Sequence, residues 1–334
     1  MLFQHNDPKI LMESTSGGLF TAIAEWVIAR GGIVYGAAYD RAFTIRHVGV
    51  ERLEDLARFR NSKYAQSEIG NTFNKVLTQL REGRWVLFSG TPCQLEGLYK
   101  FLRKPNERLV MVDVICHACP SPLLFRKWIE VNESKCGKQT VNVKFRDKIY
   151  GYKYSAMTMY GDDEKPFYKE CIDTDVMLRA FFNNISPRPS CFACPSKKQY
   201  HVTDFSIWDC FDVGKFSREL NNDKGVTRAL LHTDKARTIW ADIAAKGMNQ
   251  EIPVAAAVEG VHEMYHSVPE NPHRKDFFHD LNKLPTEEVF RKYFPITLRH
   301  RAEKFIRLAA YRLGVYALAK KAFKAVMGKH EIKR

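Results

Sequence analysis

Two cysteines of this chain follow directly on short apolar runs, and that placement constrains the fold more than any other feature. Cys93 comes after Val86-Leu87-Phe88-Ser89-Gly90-Thr91-Pro92, and Cys116 after Leu109-Val110-Met111-Val112-Asp113-Val114-Ile115. Runs of this length and apolarity read as buried strands, so each thiol stands at a strand end. Cys191 and Cys194 form a C-x-x-C pair in a proline-rich loop. Together these supply four thiolates, enough to ligate one iron–sulfur cluster or one zinc ion. A structural zinc usually draws on two close ligand pairs from local knuckles, whereas two of these ligands come singly from different strand ends. A cluster therefore suits the distribution better, with zinc as the rival.

The segments around the thiols alternate. A helix over 19–29 is capped by Ser14-Thr15-Ser16-Gly17-Gly18 and ended by Gly31-Gly32. Strands follow at 33–38 and 44–50, then a helix over 71–82, strand 85–89, helix 93–102, strand 109–115 and helix 121–131. Such alternation predicts an α/β domain with a largely parallel sheet and flanking helices. From Val141 the pattern becomes β-rich and irregular. Strands are expected at 141–145 and 152–160, a helix over 173–182, late strands at 202–207 and 227–233, and a helix over 234–246. The expected division is an α/β domain over 1–265, with a β-rich insertion at about 141–205, and a helical basic tail over 266–334.

Eight irregularly spaced cysteines in 334 residues do not resemble a small secreted disulfide scaffold; they point to a reducing compartment and to metal or redox use. No basic segment followed by an apolar stretch opens the sequence, and no apolar run approaches the length of a membrane span, so a cytoplasmic location is the expectation. The net charge of +14 is concentrated at one end. Residues 297–334 hold 11 Lys/Arg against two Asp/Glu, leaving only +5 for the remaining 296 residues.

Three stretches carry candidate chemistry. Cys93 at a strand-to-helix turn sits among backbone N–H groups that favour an anion, so its thiol is expected to ionise readily as a ligand or nucleophile. Ser14, Ser16, Gly17 and Gly18 at a helix start read equally as an anion cradle and as a plain N-cap. Asn61, Ser62, Lys63 and Tyr64 combine amide, hydroxyl, cation and ring, a set that can hold a phosphate or stack a ring and that also occurs in ordinary loops. No GxGxxG or P-loop is present.

Taken in order, several stretches resemble the beta-subunit family of coenzyme F420 (deazaflavin) hydrogenases and dehydrogenases. They are S-T-S-G-G-L-F at 14–20, G-G-I-V-Y-G-A-A-Y at 31–39, N-S-K-Y-A-Q-S at 61–67, V-L-F-S-G-T-P-C-Q at 86–94 and D-V-I-C-H-A-C-P-S-P at 113–122. F-R-D-K at 145–148, R-P-S-C-F-A-C at 188–194, D-F-S-I-W-D at 204–209 and D-K-G-V-T at 223–227 continue the series. The resemblance implies an iron–sulfur flavoprotein oxidoreductase passing electrons between a 4Fe–4S cluster, FAD and an acceptor or substrate. Cys93, Cys116, Cys191 and Cys194 would hold the cluster, with Cys119 able to replace Cys116. Ser14, Ser16, Gly17 and Gly18, together with Asn61, Ser62, Lys63 and Tyr64, would help bind FAD. Related proteins among surface-polysaccharide genes point to a sugar precursor as one substrate class.

The sequence departs from the family pattern in places. Asn61 stands where a glycine is usual, Ala118-Cys119 replaces a glycine-led pair, and Trp208 and Cys210 alter a G-D-F-W run. Members also carry an N-terminal ferredoxin-like module, and this sequence begins where that module would end. The expected partner is thus a ferredoxin-like electron donor or a separate iron–sulfur subunit. A zinc-bound or degenerate non-catalytic scaffold and a thiol-redox protein using Cys93 are the alternatives.

In the tail, Phe305, Leu308, Ala309, Val315, Tyr316, Ala319, Ala322, Phe323 and Val326 recur at helical spacing. Arg299, Arg301, Lys304, Arg307, Lys320, Lys321 and Lys324 occupy much of the remaining surface. A basic amphipathic helix of this kind suits a membrane surface or packing on its own domain. No nucleic-acid-binding module is recognisable, and no nucleic-acid partner is expected.

Overall fold

The computed structural model describes residues 1–314 and Tyr316. Its strands are β1 (Leu2–His5), β2 (Ile33–Tyr39), β3 (Ile45–Val50), β4 (Val86–Gly90), β5 (Leu109–Val114), β6 (Asn142–Asp147), β7 (Ala156–Tyr160), β8 (Pro166–Cys171), β9 (Phe205–Asp209), β10 (Thr227–Leu231) and β11 (Gly247–Gln250). The helices are α1 (Pro8–Glu13), α2 (Leu19–Ile28), α3 (Thr72–Arg81), α4 (Pro92–Leu102), α5 (Pro122–Cys136), α6 (Val176–Phe182), α7 (Asp234–Ile243), α8 (Val254–Val258), α9 (His262–Tyr265), α10 (Arg274–Lys283), α11 (Thr286–Tyr293) and α12 (Leu298–Arg312). The chain divides into two compact units. One comprises Met1–Pro122, Gly151–Lys153 and Arg188–Val268; the other comprises Leu123–Tyr150, Tyr154–Pro187 and the described residues from Pro269 onward.

The first unit holds an eight-stranded sheet in the order β11-β1-β10-β9-β5-β4-β2-β3. Its centre, β9-β5-β4-β2, is parallel, and the flanking pairs are antiparallel. The central strands are apolar on both faces because helices cover both. Leu87, Val110 and Val112 point toward α2 and α7, while Val86, Phe88, Leu109 and Met111 point toward α3 and α4. Each such side chain contributes about 1.5–3 kcal/mol when fully buried. Trp26 in α2 donates its indole N–H to Asp242 in α7 at 2.7 Å, which locks the first layer.

The expected α/β class is observed, with the parallel character concentrated in those four strands. Sequence periodicity misses β1 and β11, which are four residues each and carry no alternation to detect. All of β1 is buried because it is paired on both edges, to β10 and to β11. The strand expected at 152–160 begins only at Ala156. Tyr152 instead spends its hydroxyl on Asp209 (3.0 Å) and on the N–H of Cys210 (2.9 Å) within the first unit.

The second unit contains the antiparallel sheet β6-β7-β8 and helices α5, α6 and α10 to α12. Its polar anchor is Asp175, which is fully buried. Asp175 caps α6 by accepting from Leu178 N (2.6 Å), and it accepts from the Trp128 indole (3.0 Å) and the Tyr168 hydroxyl (2.7 Å). In α12, Lys304 pairs with Glu170 and Arg307 with Asp173, while Leu308, Tyr311 and Tyr316 pack against Tyr154, Ala156 and Cys171. Part of the basic face is therefore used in packing, and Leu298, Phe305 and Ile306 stay exposed. Val315, Ala319, Lys320, Lys321, Ala322, Phe323, Lys324 and Val326 lie outside the described residues. Among the described residues no helix is long and apolar enough to cross a membrane.

Burial raises Asp175 to about 6 against the three donors that favour its charged form. A carboxyl whose folded pKa exceeds its unfolded value makes the fold less stable as pH rises through that interval. Asp175→Asn should therefore remove a stability loss of about 3 kcal/mol between pH 4 and 6, at about 1.4 kcal/mol per unit. Denaturant midpoints of both proteins across that range measure it; parallel curves would refute the assignment.

Candidate functional site

Parallel pairing of β4 with β5, in register from Val86↔Leu109 to Gly90↔Asp113, ends the two strands side by side. The chain leaving β4 turns at Thr91 and enters α4 with Pro92 in its first turn, which places Cys93 at the helix start. Thr91 N donates to Gln94 Oε1 at 3.0 Å, fixing that turn. The chain leaving β5 carries Cys116 and Cys119 past the same edge. Carboxyl ends of adjacent parallel strands are where open α/β sheets place their ligands.

Five thiols line one cavity there, of about 200 Å³: Cys93, Cys116, Cys119, Cys191 and Cys194. Cys136, Cys171 and Cys210 lie outside it. Arg188 ties the parts together, its N–H donating to Cys119 O (3.0 Å) and its Nη2 to Cys93 Sγ (3.1 Å). Cys119 N donates to Cys191 Sγ at 3.3 Å. Lys197 donates to the carbonyls of Cys116, His117 (3.1 Å) and Glu263 (2.8 Å). Burial pushes Cys116 well above the ordinary thiol range and Cys119 to about 12, with neighbouring thiols adding to each shift. Such thiols stay neutral unless a cation compensates their charge. Among the described residues no three Cys, His, Asp or Glu side chains are grouped to hold a metal ion.

The two loops expected to bind a cofactor also meet. Thr15 Oγ1 and Ser62 Oγ are 2.9 Å apart, and Arg60 pairs with Glu13 at 2.5 Å. Ser14 donates to Ile10 O (2.7 Å), while Ser16 Oγ (2.9 Å) and Gly17 N (2.9 Å) both bond the Thr227 hydroxyl. Gly17 lies so close to β1 that a Cβ would sit 2.0 Å from Phe3 O. Gly18 takes φ +84° at the start of α2. Lys63 donates to Arg60 O (3.1 Å) and Asn61 O (3.2 Å), and burial lowers it to about 7. The 61–67 loop reaches the thiol turns as well: Gln94 Nε2 donates to Ser67 Oγ (2.9 Å), and Gln66 N to Pro120 O (3.0 Å).

Residues 83–256, just over half of the chain, match a family model that describes the C terminus of the coenzyme F420 hydrogenase/dehydrogenase beta subunit. The chain belongs to that family. No curated protein matches it. A solved chain from the F420-reducing [NiFe] hydrogenase complex of Methanosarcina barkeri, studied as a xenon derivative, is similar. Its identity is 16% and its TM-score 0.50, covering 89% of this chain and 92% of the other, and the likeness concerns the fold. As an F420 hydrogenase/dehydrogenase beta-subunit relative, the chain is an oxidoreductase-type subunit.

Sequence reasoning did not single out Arg188, Lys197 or His201, all of which line the cavity. Arg188 stood inside a quoted motif, but its thiol partner is 95 residues away in sequence. Asn61, the departure from the family glycine, has φ +66°, a left-handed conformation that Asn tolerates better than most L residues. Asn61→Gly should leave stability within about 0.5 kcal/mol of the parent, whereas Asn61→Val should lower it by about 1–2 kcal/mol. Urea unfolding of the three proteins decides; equal losses in both variants would exclude backbone conformation as the constraint.

Proposed function

We propose that this chain is an iron–sulfur flavoprotein subunit whose 4Fe–4S cluster is held by Cys93, Cys116, Cys191 and Cys194. The convergence of five thiols and two cations on one cavity carries this reading. A 4Fe–4S core with four thiolates bears a net negative charge. Arg188 and Lys197 offset that charge, and N–H and guanidinium donors on sulfur are the contacts that tune such clusters. A single zinc ion needs its sulfurs packed tightly around one point, at Zn–S about 2.3 Å. A cluster spreads its ligands around a larger core, which suits thiols distributed over a cavity wall. Cys119, the fifth thiol, stands ready to replace Cys116.

FAD is assigned to the joined loops. Ser14, Ser16 and Gly17 have polar partners within the protein, as do Ser62 on Thr15 and Lys63 on the carbonyls of Arg60 and Asn61, so contacts from Ser14, Ser16, Gly17, Gly18, Asn61, Ser62, Lys63 and Tyr64 to FAD would be shared with or exchanged for these internal bonds. When bound, the cluster exchanges single electrons and the flavin can deliver them in pairs. The protein's own part is to desolvate the thiols, neutralise their charge with Arg188 and Lys197, and hold the loops together through Thr15 and Ser62. The electron donor is a ferredoxin-like protein or iron–sulfur subunit.

Anaerobic reconstitution followed by iron, sulfide and flavin analysis tests the proposal. About four irons and four sulfides per chain, with brown absorbance, are expected. Alanine at Cys93, Cys191 or Cys194 should abolish most of that iron, while alanine at Cys136, Cys171 or Cys210 should leave it intact. A colourless protein containing one zinc would sink the reading.

A further inference from the structure

Helix α12 presents an apolar stripe to solvent that the packing of its own unit leaves unused. Leu298, Phe305, Ile306 and the flanking Leu313 fall at i, i+7, i+8 and i+15, so they share a stripe about 100° wide and about 22 Å long. Leu298, Phe305 and Leu313 are 83%, 73% and 75% exposed, and among the described large hydrophobic side chains only Tyr200 is comparably open. Exposed apolar side chains scattered singly need no explanation, whereas a continuous row of them marks a surface that meets something apolar.

The helix cannot turn that stripe inward, because its other side is already fixed. Lys304 pairs with Glu170, Arg307 pairs with Asp173 at 3.3 Å, and Leu308 and Tyr311 pack on Tyr154, Ala156 and Cys171. Both ends are closed as well. Thr297 Oγ1 accepts from His300 N (3.4 Å), while Leu313 N donates to Ala309 O and Gly314 N to Tyr311 O, each at 3.0 Å. The stripe is thus displayed on a helix that is already formed, which spares binding the entropy of ordering it.

We infer that α12 lies along an anionic phospholipid surface, its stripe entering the bilayer interface and Arg301 and Arg312 meeting headgroup phosphates. Both arginines are exposed, and helical geometry places them along one edge of the stripe. Glu303 is the only acidic residue in α12, and Arg299 engages it at 2.8 Å. Charge decides the occupant. A second copy of this helix would set two basic edges against each other. Residues 315–334, with six Lys/Arg against one Asp/Glu, would bring that same charge to the stripe. Nucleic acid would meet the arginines and leave Leu298, Phe305 and Leu313 in water. An anionic bilayer takes up the apolar row and the cations together. Docking of this kind does not depend on what the thiol cavity holds.

Flotation of the full-length protein with phosphatidylcholine vesicles, with and without about one-third phosphatidylglycerol, tests this. Binding should favour the anionic vesicles and weaken as salt is raised. The double variant F305S/L313S should bind about 30-fold more weakly or worse, and Arg301→Gln and Arg312→Gln about fivefold each. All four side chains are exposed, so urea midpoints should match the parent. Val141→Ser, at a 61% exposed site off the helix, should bind as the parent does; an equal loss there overturns the assignment to α12. Full-length protein that ignores anionic vesicles overturns the inference. Residues 315–334 are then the cover if a chain ending at Gly314 binds, and a second copy is if light scattering shows a dimer that F305S/L313S dissolves. Binding that survives in F305S/L313S overturns it too, since the stripe is then not the contact.

Discussion

The side-by-side parallel pairing of β4 and β5 is the constraint on which the candidate site depends. Parallel strands cannot be joined by a tight hairpin, so the chain must leave each carboxyl end and cross back through a helix. Here those crossovers start with a thiol each time, and the register that sets Gly90 opposite Asp113 brings Cys93 and Cys116 to one rim. Apolar faces toward α3 and α4 on one side and α2 and α7 on the other hold that register, because a one-residue slip would exchange the two buried faces.

Such a rim concentrates an electrostatic problem. Thiols taken out of water resist ionisation, and Cys116 and Cys119 are both pushed up by their burial and by the thiols around them. Arg188 against Cys93 and Lys197 on the carbonyls beside Cys116 supply positive charge where thiolates would need it. Within the proposed reading, ligation is what finally stabilises the charged sulfurs, since metal binding releases their protons.

Much of this was legible from local pattern. The runs ending at Cys93 and Cys116 are long enough, and apolar enough on both faces, to read as central strands, and the helices α2, α3, α4 and α7 follow from 3.6-residue spacing. The short strands β1 and β11 were not legible, because four residues paired within a sheet show no period. Asn61 was readable as a departure from a glycine position; only its positive φ shows why Asn is accepted there. Roles assigned by residue type proved less direct. The hydroxyls of Ser14 and Ser16 looked like anion donors, yet each has an internal partner, Ile10 O and Thr227.

By itself the sequence determined the alternating α/β architecture and marked the thiols at two strand ends and in the C-x-x-C pair, since strand and helix periods and cysteine spacing are local properties. Tertiary structure alone decided which distant groups face one another. It placed Arg188 on Cys93 across 95 positions, joined Thr15 to Ser62, and aligned Asp113 with Ser206 on adjacent strands. The physical reason is that strand order and register are set by packing over the whole sheet, and no short window of sequence contains both partners of any of these contacts.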